Sequence, residues 1–390
     1  MNDLKRTWVE IDLDALAHNY HTLRARIGSD VKFLGVVKAD AYGHGAIAVS
    51  HTLEDLGADY LAVSSLDEAR ELRVHGISLP ILLLGHTPTD QVPQLIANNI
   101  TQTVSCEKKA KEYEDAASKI GSKLKVHIKV DTGMSRLGFI CASPHFESGT
   151  AAIRRSCSLP HLDVEGIFTH FAVSDDDSVE SKNYTNAQFQ LFCAVIERVA
   201  SEGFHFRIRH CANTGAVANY PETYLDMVRP GLLLYGYGDY AARLGLRPVM
   251  CEKTVVNTVK IYEPGTSISY GRLFETSART RIGVVPIGYA DGFFRSLSNR
   301  YALMTSDGPA PIRGRICMDM CMIDLTKLPN IQVGAEVEVF GSHNPLECMA
   351  EMADTIPYEL TCAISKRVPR IFIRGGKVID RELRLKLDAE

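Results

Sequence analysis

The sequence predicts an α/β fold: an N-terminal (β/α)8 barrel of the TIM type over residues 1–241, then a mostly β C-terminal domain over residues 242–390. Three observations support this prediction. Short, apolar, β-branched segments alternate with amphipathic segments up to about residue 240, which is typical of a parallel sheet covered by helices on both faces. The alternation gives about eight units, a number that favours a closed barrel over an open sheet. After residue 241 strand-like segments dominate, and glycine and proline separate them.

The barrel strands are predicted at eight apolar segments: Val31–Val37, Tyr60–Ser64, Ile81–Gly85, Thr101–Ser105, Val126–Val130, Val164–Thr169, Phe206–His210 and Leu225–Val228. Helical spacing of apolar residues predicts helices between several of them, the clearest being Asp12–Ile27 and Ser181–Ser201. A third predicted helix, Ser65–His75, opens with the capping box formed by Ser65 and Glu68 and stops at Gly76.

The C-terminal domain is predicted to contain strands at Thr254–Tyr262, Thr280–Pro286, Ala310–Leu325, Glu336–Phe340 and Val368–Ile373, with helices at Leu346–Thr355 and Pro357–Ile364. No Ser/Gly-rich linker separates the two domains, so we expect them to be in firm contact.

Composition excludes several classes of function. The formal net charge of −4 does not favour binding to nucleic acid or an anionic membrane. We find no signal peptide, no apolar segment of the ~20 residues that a membrane helix needs, and no CxxC among the 10 cysteines. These features predict a cytoplasmic protein with reduced thiols. His18 and His21 lie three residues apart on a predicted helix without an acidic cluster, so no metal site is predicted.

Polar residues follow the predicted strands at the end where barrel enzymes bind their substrates. Lys38 follows the first strand. On its own it is most simply a solvated lysine, but an amine desolvated in a barrel mouth loses its charge more easily and can form a Schiff base. The later strands end in, or are followed by, further residues: Lys129, Asp131 and Arg136; His170; His210, Asn213 and Thr214; and Arg229 and Gly231. Together these residues predict a site for an anionic ligand that bears a carbonyl group.

Ordered motifs then identify a family. The segment from Val36 to Gly45, VVKADAYGHG, resembles the cofactor-lysine segment of alanine racemases. Further segments similar to that family follow in order through the chain: WVEIDL at 8–13, KVDTGMSRLG at 129–138, VRPG at 228–231, SYG at 269–271, GYADG at 288–292, GRICMDM at 314–320 and IPYEL at 356–360. Because the resemblance covers both predicted domains, it supports the same fold and implies that the first ~10 residues pack with the C-terminal domain.

The resemblance implies pyridoxal 5'-phosphate as cofactor, bound covalently to Lys38. It implies that Tyr42 and Tyr358 bind the phosphate with Thr214 and the backbone at Gly231 and Leu232, and that Asn213 also belongs to the cofactor site. It also implies that Arg136 meets the phenolic oxygen of the cofactor, and that Arg229, oriented by His170, faces its pyridine nitrogen. Tyr289, Met318 and Asp319 are similar to residues of the substrate-binding and access region that a second subunit contributes.

The implied reaction is interconversion of L- and D-alanine by two bases, for the supply of D-alanine to peptidoglycan. Lys38 serves one face of the substrate, and Tyr270 of a partner subunit in a homodimer serves the other. Lys129 is similar to a lysine that some family members carry in carbamylated form, which would convert a cation into an anion beside Arg136. An unmodified lysine is the alternative.

Three other functions stay open on the residues alone. The first is a serine or broader-specificity racemase of the same family, because a pocket for a methyl group cannot strongly reject one added hydroxyl; Tyr358 favours alanine. The second is a decarboxylase of basic amino acids on the same fold, although no segment resembles the cysteine-containing motif of that family. The third is a non-catalytic pyridoxal-phosphate carrier, a class that resembles the barrel alone.

Overall fold

The computed structural model describes residues 6–383, and the predicted (β/α)8 barrel with a β-rich C-terminal domain is confirmed. The barrel region contains strands β1 (Trp8–Asp12), β2 (Lys32–Val36), β3 (Tyr60–Val63), β4 (Ile81–Leu83), β5 (Ile100–Val104), β6 (Leu124–Asp131), β7 (Phe139–Ile140), β8 (Leu162–Phe168), β9 (Ile208–His210) and β10 (Met227–Val228). Its helices are α1 (Leu13–Ile27), α2 (Lys38–Tyr42), α3 (Ala46–Asp55), α4 (Leu66–Val74), α5 (Val92–Ala97), α6 (Glu107–Ile120), α7 (Phe146–Cys157), α8 (Val179–Ser201) and α9 (Thr214–Asn219).

The barrel sheet is parallel and runs in the order β10-β2-β3-β4-β5-β6-β8-β9, with β7 paired to β6 outside this path. Two backbone hydrogen bonds join the ends of this order, from Asp226 N to Arg209 O (3.0 Å) and from Arg229 N to Ala212 O (3.0 Å). Each of the eight predicted barrel strands coincides with one of these strands. The predicted capping box of α4 is also present. The carboxyl ends of the strands therefore meet at one mouth.

The C-terminal region contains β11 (Met250–Val255), β12 (Thr258–Tyr262), β13 (Ser267–Ile268), β14 (Phe274–Glu275), β15 (Thr280–Val285), β16 (Ala302–Thr305), β17 (Gly308–Pro311), β18 (Cys321–Asp324), β19 (Glu336–Phe340), β20 (Arg370–Arg374) and β21 (Lys377–Glu382), with helices α10 (Leu346–Ala353) and α11 (Pro357–Ala363). A seven-stranded sheet has the order β17-β16-β19-β11-β1-β20-β21. A three-stranded sheet, β12-β15-β18, and the hairpin β13-β14 complete the domain.

The N-terminal segment belongs to the C-terminal sheet. β1 lies antiparallel to β11 and parallel to β20, and then leads directly into α1 of the barrel. Residues 1–5 and 384–390 lie outside the described residues. The expectation that the first ~10 residues pack with the C-terminal domain can therefore be compared with the structure for residues 6–10 alone. The division of the chain at residue 241 stays a prediction.

Two predicted strands of the C-terminal domain were wrong in extent. The predicted strand Thr254–Tyr262 is two strands in different sheets, because the chain crosses between the sheets at Val256 and Asn257, whose amides bind Ala335 O and Val284 O. The predicted strand Ala310–Leu325 is interrupted over 312–320, where Gly314 has a φ of 77° and lies against the backbone of Ile268. An apolar pattern that continues across a change of sheet cannot show the break.

Short strands were also missed. β13, β14, β16 and β21 have two to six residues each and no clear apolar alternation that would separate them from loops. Among residues 6–383, no helix has the length and apolar character that crossing a membrane requires.

Candidate active site

The mouth of the barrel encloses a cavity of about 420 Å³. The structure brings together there most of the residues predicted to bind the cofactor: Lys38, Tyr42, Arg136, His170, Asn213, Thr214, Arg229, Gly231 and Tyr358. Lys129, the predicted carbamylation site, also lines this cavity. Leu232 follows Gly231 and begins a short 3-10 helix, where it is buried. Most of these side chains come from the barrel, while Tyr358 is supplied by α11 of the C-terminal domain, which packs on α2.

Lys38 follows the first barrel strand, as predicted: β2 stops at Val36, and Lys38 begins a left-handed turn that the sequence did not indicate. The four residues Ala39–Tyr42 all have positive φ, between 50° and 59°. A left-handed helical conformation costs roughly 1–2 kcal/mol for each residue that carries a Cβ, so the surrounding structure must hold this turn. The turn places both Lys38 and Tyr42 at the cavity.

Side chains from two other segments hold the turn. The imidazole Nδ1 of His44 lies 2.9 Å from Ala41 O and 3.0 Å from Tyr42 O, and since carbonyls only accept, this nitrogen carries the proton. His44 is fully buried, and burial lowers its pKa to about 4, which keeps the ring neutral. From α4, the carboxylate of Glu68 accepts hydrogen bonds from Ala39 N (2.7 Å) and Ser64 N (2.6 Å).

The cavity collects positive charge. Burial, and then the nearby Arg136, lower the pKa of Lys38. Burial lowers the pKa of Lys129 to about 8, and the charges of Arg136 and Arg229 act in the same direction. Desolvation and like charges both favour a neutral amine. Both amines therefore lose their proton more easily than the amine of an ordinary exposed lysine.

Hydroxyl groups and an amide form a second part of the cavity wall. Gly231 N donates to Thr214 Oγ1 (2.9 Å), and Tyr358 faces Thr214 and the backbone of Leu232. A Cβ at Gly231 would lie 2.9 Å from Tyr42 Oη and 3.1 Å from Thr214 Oγ1, so a side chain there would crowd both hydroxyls. The cluster of Tyr42, Thr214, Gly231 and Tyr358, called here the hydroxyl cradle, offers the donors that a phosphate group needs.

Arg229 lies at the base of the cavity and is 4% exposed. Its guanidinium donates to Thr169 O (2.8 Å) and Cys211 O (3.1 Å), and Nη1 lies 2.9 Å from His210 Nδ1. The predicted neighbour His170 is also adjacent, but at 3.4 Å it is the weaker contact. Burial lowers the pKa of Arg229 to about 10, which still leaves it a cation near neutral pH.

The loop after β6 presents Arg136 to the cavity. Asp131 Oδ1 accepts hydrogen bonds from Gly133 N (2.9 Å) and Ser135 N (3.0 Å), which folds the loop back on the strand end. Tyr184 of α8 donates to Gly133 O (2.8 Å). These contacts fix the loop backbone, whereas the side chain of Arg136 itself is exposed.

The remaining predicted residues lie elsewhere. Tyr270, Met318 and Asp319 line a separate groove of about 450 Å³ on the C-terminal domain, and Tyr289 adjoins it through Tyr289 N to Cys317 O (3.1 Å). Tyr270 is 71% exposed and Met318 is 53% exposed. Within one chain, the structure does not bring this groove, called here the Tyr270 face, into the Lys38 cavity.

Three residues of the site were not singled out from the sequence. His210 was noted only as part of a strand-end motif, and Glu68 only as a helix cap. Asp291 lies within the GYADG motif and binds Arg6 (2.7 Å) and Arg367 (2.8 Å), while Arg367 also binds Asp319 (2.7 Å). A buried carboxylate with two arginine partners gives no signal in a single sequence beyond the motif that contains it.

Comparison with known proteins agrees with the geometry. Residues 11–239 match the family described as "Alanine racemase, N-terminal domain", and residues 249–372 match "Alanine racemase, C-terminal domain". The chain belongs to the alanine racemase family. The resemblance read from the motifs is therefore confirmed across both domains.

Individual members of the alanine racemase family are similar over nearly the whole chain. Alanine racemase 2 of Caldanaerobacter subterraneus subsp. tengcongensis is 41% identical, covering 99% of this chain and 100% of the relative. The solved alanine racemase of Clostridium difficile 630 has a TM-score of 0.92 and 39% identity, covering 97% of this chain and 99% of that one. The alanine racemase of Bacillus anthracis with bound L-Ala-P has a TM-score of 0.90 and 33% identity, covering 99% of both chains.

Proposed function

We propose that this protein is a pyridoxal-phosphate-dependent isomerase that interconverts L-alanine and D-alanine and supplies D-alanine for peptidoglycan. The observation that carries the proposal is Lys38, an amine whose pKa burial lowers, held at the mouth of a barrel whose family members are alanine racemases. The Bacillus anthracis relative binds L-Ala-P, which supports a small amino acid as substrate. A cytoplasmic location stays a prediction.

The residues present fit pyridoxal phosphate. The cofactor has an aldehyde, a phosphate and a pyridine nitrogen, and the cavity has an amine at Lys38, the hydroxyl cradle and the guanidinium of Arg229. Gly231 supports this fit most specifically. A Cβ there would occupy the space between the hydroxyls of Tyr42 and Thr214, which the phosphate needs. When bound, pyridoxal phosphate delocalises the negative charge that develops on Cα of an amino acid as its proton leaves.

Two bases then move the proton. A neutral Lys38 amine is placed to take or return the Cα proton on one face. On the other face we propose Tyr270 of a partner subunit, since the Tyr270 face of the same chain is separate from the cavity. A phenol has an unperturbed pKa near ~10, so Tyr270 needs positive charge close to its oxygen to act as a base near neutrality. The cations of the Lys38 cavity would supply it.

Arg229 limits the reaction to proton transfer. A guanidinium has only donors, so it cannot accept a hydrogen bond from a protonated pyridine nitrogen, and its charge opposes a proton there. We propose that Arg229, by opposing a proton at that nitrogen, would make the bound cofactor a weaker electron acceptor and would thereby suppress transamination as a side reaction. His170 and His210 hold the guanidinium in place.

A homodimer with shared sites completes the proposal. Tyr270, Tyr289 and Met318 are 44–71% exposed and apolar or aromatic, which suits burial against a second copy of the chain. Asp319, 51% exposed at its side chain, is bound to Arg367 and would lie beside them at the substrate side. The substrate site would then consist of Arg136 from one chain with Tyr289, Met318 and Asp319 from the other.

Lys129 is proposed as a site of carbamylation. Carbon dioxide reacts only with the neutral amine, forming an N–C bond and releasing a proton. Because its pKa is about 8, Lys129 becomes neutral as the pH rises through that value, far below an exposed lysine. The product would be an anion between Arg136 and Arg229. Intact-mass measurement in bicarbonate above pH 8 should show added carbon dioxide that is absent from Lys129→Arg; an unmodified wild-type protein contradicts this proposal.

The alternatives make different products. Serine turnover is the second candidate, because a hydrophobic pocket discriminates poorly against one hydroxyl; Tyr358, which lines the cavity, narrows it in favour of a methyl group. A decarboxylase would release carbon dioxide from the amino acid, and a carrier would not exchange the Cα proton. Incubating L- and D-alanine, both serine enantiomers and L-lysine in deuterated water, with Cα deuterium and released carbon dioxide both measured, distinguishes all four.

The decisive experiment is reduction with borohydride in the presence of pyridoxal phosphate, followed by peptide mapping. We expect the cofactor fixed to Lys38, together with deuterium at Cα of both alanine enantiomers. Label on another residue, or a protein that stays colourless with the cofactor, would overturn the proposed function.

A further inference from the structure

A continuous polar column crosses the apolar interior of the barrel beneath Arg229. His210 of β9 lies between Arg229 and His127 of β6, with 2.9 Å from Arg229 Nη1 to His210 Nδ1 and 2.9 Å from His210 Nε2 to His127 Nδ1. The second ring nitrogen of His127 lies 3.2 Å from Glu165 Oε2 on β8. Tyr60 of β3 donates to the same oxygen at 3.0 Å. Both histidines are completely buried, and the proposed reaction uses neither His127 nor Glu165.

The chemistry at the two ends fixes every proton between them. Guanidinium can only donate, so His210 Nδ1 must accept, and the neutral ring carries its hydrogen on Nε2. That hydrogen is donated to His127 Nδ1, which places the hydrogen of His127 on Nε2 as well. A carboxylate can only accept, and His127 Nε2–H points at it. The column thus has a single direction, from the cation at Arg229 to the anion at Glu165.

The barrel is built around this column. A Cβ at Gly166, next to Glu165, would lie 2.7 Å from His127 Cε1 and 2.8 Å from His127 Nδ1, so glycine leaves the space that the ring fills. Phe168 stacks on His210 with ring centroids 4.8 Å apart and an interplanar angle of 10°. Both rings are therefore held in the orientation that the hydrogen bonds require.

We infer that Glu165 is a positioning residue for Arg229, acting through His127 and His210 to supply its counter-charge and to fix both imidazoles as neutral Nε2–H tautomers. Arg229 is otherwise bonded to neutral groups, namely the carbonyls of Thr169 and Cys211 and the His170 ring. Hydrogen bonds in a chain polarise one another, and the low dielectric of the interior strengthens each. The charge of Glu165 thereby stabilises a guanidinium that it does not touch.

Other charges also face Glu165. Arg207, which is 60% exposed at its side chain, lies 3.8 Å from Glu165 Oε1, and Lys125 acts on both Glu165 and His127. Because the guanidinium of Arg207 lies mostly in water, this contact is screened and contributes little. Arg207 therefore provides the control that separates the surface charge partner of Glu165 from the buried column.

The tautomers can be tested on the wild-type protein without any reaction. With nitrogen-15 in the histidines, two buried imidazoles should appear near neutral pH as Nε2–H tautomers with downfield, slowly exchanging N–H protons. An Nδ1–H tautomer or an imidazolium at His127 or His210 would overturn the inference. Because this measurement involves no turnover, it can contradict the inference about Glu165 whether or not the protein has the proposed racemase activity.

Substitutions then test the charge. Glu165→Gln keeps the size and the acceptor oxygen, so the same tautomers should remain while both N–H signals move upfield. The inference assigns Glu165 a role at Arg229. In the proposed reaction, kcat of Glu165→Gln should therefore fall about tenfold, while KM for alanine stays within about threefold of the wild-type value. Arg207→Gln and Tyr60→Phe, which leave the carboxylate in place, should stay within about threefold of wild type. Unchanged N–H signals and kcat in Glu165→Gln, or an equal loss in Arg207→Gln, would overturn the inference.

Discussion

The Lys38 cavity and the Tyr270 face show how differently two halves of one proposed site can be built. In the cavity, a strained turn, buried cations and the hydroxyl cradle come from a single chain and are already in contact. At the Tyr270 face, the proposed second base is 71% exposed and lines an open groove. One half is pre-organised by folding, whereas we propose that a second copy of the chain completes the other. Chemistry that needs both halves should therefore depend on assembly.

The largest expected effect is at Lys38. Lys38→Arg keeps a cation at the mouth of the barrel, but a guanidinium neither loses its proton nor forms a Schiff base. We expect racemisation to fall by more than about 10⁴-fold, with loss of covalently bound cofactor, measured by the coupled formation of D-alanine and by absorbance. Lys123→Arg, on an exposed residue before β6, is the matched control and should leave activity unchanged. If Lys38→Arg retained racemase activity, the Lys38 cavity could not be one of the two catalytic halves.

Tyr270→Phe tests the other half. Removing one hydroxyl from an exposed ring should not disturb the fold of the chain, yet it removes the proposed second base. We expect a loss of about 10²–10⁴-fold in racemisation. Exchange of the Cα proton with deuterated water should persist for one alanine enantiomer only, because Lys38 still serves one face. Equal exchange of both enantiomers at the wild-type rate would show that Tyr270 is not a base.

Mixing the two inactive variants sharpens the comparison further. In a hybrid dimer of Lys38→Arg and Tyr270→Phe chains, one site has both defects and the other has neither. Random re-association of equal amounts should restore about a quarter of wild-type activity, since half the dimers are hybrids with one working site each. Absence of any recovery, with hybrid formation shown by native mass spectrometry, would mean that each site is built within one chain.

The same contrast explains what could be predicted from the sequence. The eight barrel strands were predictable because each is an apolar, β-branched segment ending in polar residues, and parallel strands bring those ends together at one mouth. That is enough to gather Lys38, Arg136 and Arg229 without any structure. The Tyr270 face carries no such local pattern, and its residues were identified through the family motifs alone. On our proposal the group that it completes lies on another chain, where no pattern within one chain can indicate it.

The left-handed turn after Lys38 and the role of His127 could not be predicted from the sequence, because both depend on contacts between distant segments. Residues 38–42, KADAY, have no intrinsic preference for a left-handed turn, and tertiary contacts such as those from His44 and Glu68 support it. Likewise, a histidine such as His127 within an apolar strand reads as an ordinary core residue. Its role emerges only when β6, β8 and β9 place it between His210 and Glu165.

The smallest effect concerns the strain in that turn. Ala39 is exposed and has a φ of 50°, so Ala39→Gly should raise the free energy of unfolding by up to about 1 kcal/mol, because glycine adopts this conformation without a Cβ clash. Ala25→Gly, at an exposed position of the right-handed helix α1, should lower it by about 1 kcal/mol. Urea unfolding of both variants measures whether each substitution raises or lowers the free energy of unfolding. If the same substitution destabilises equally at both positions, the turn is not strained. If Ala39→Gly stabilises the fold but weakens cofactor binding, the stiffness of the turn is what holds Lys38 ready for its ligand.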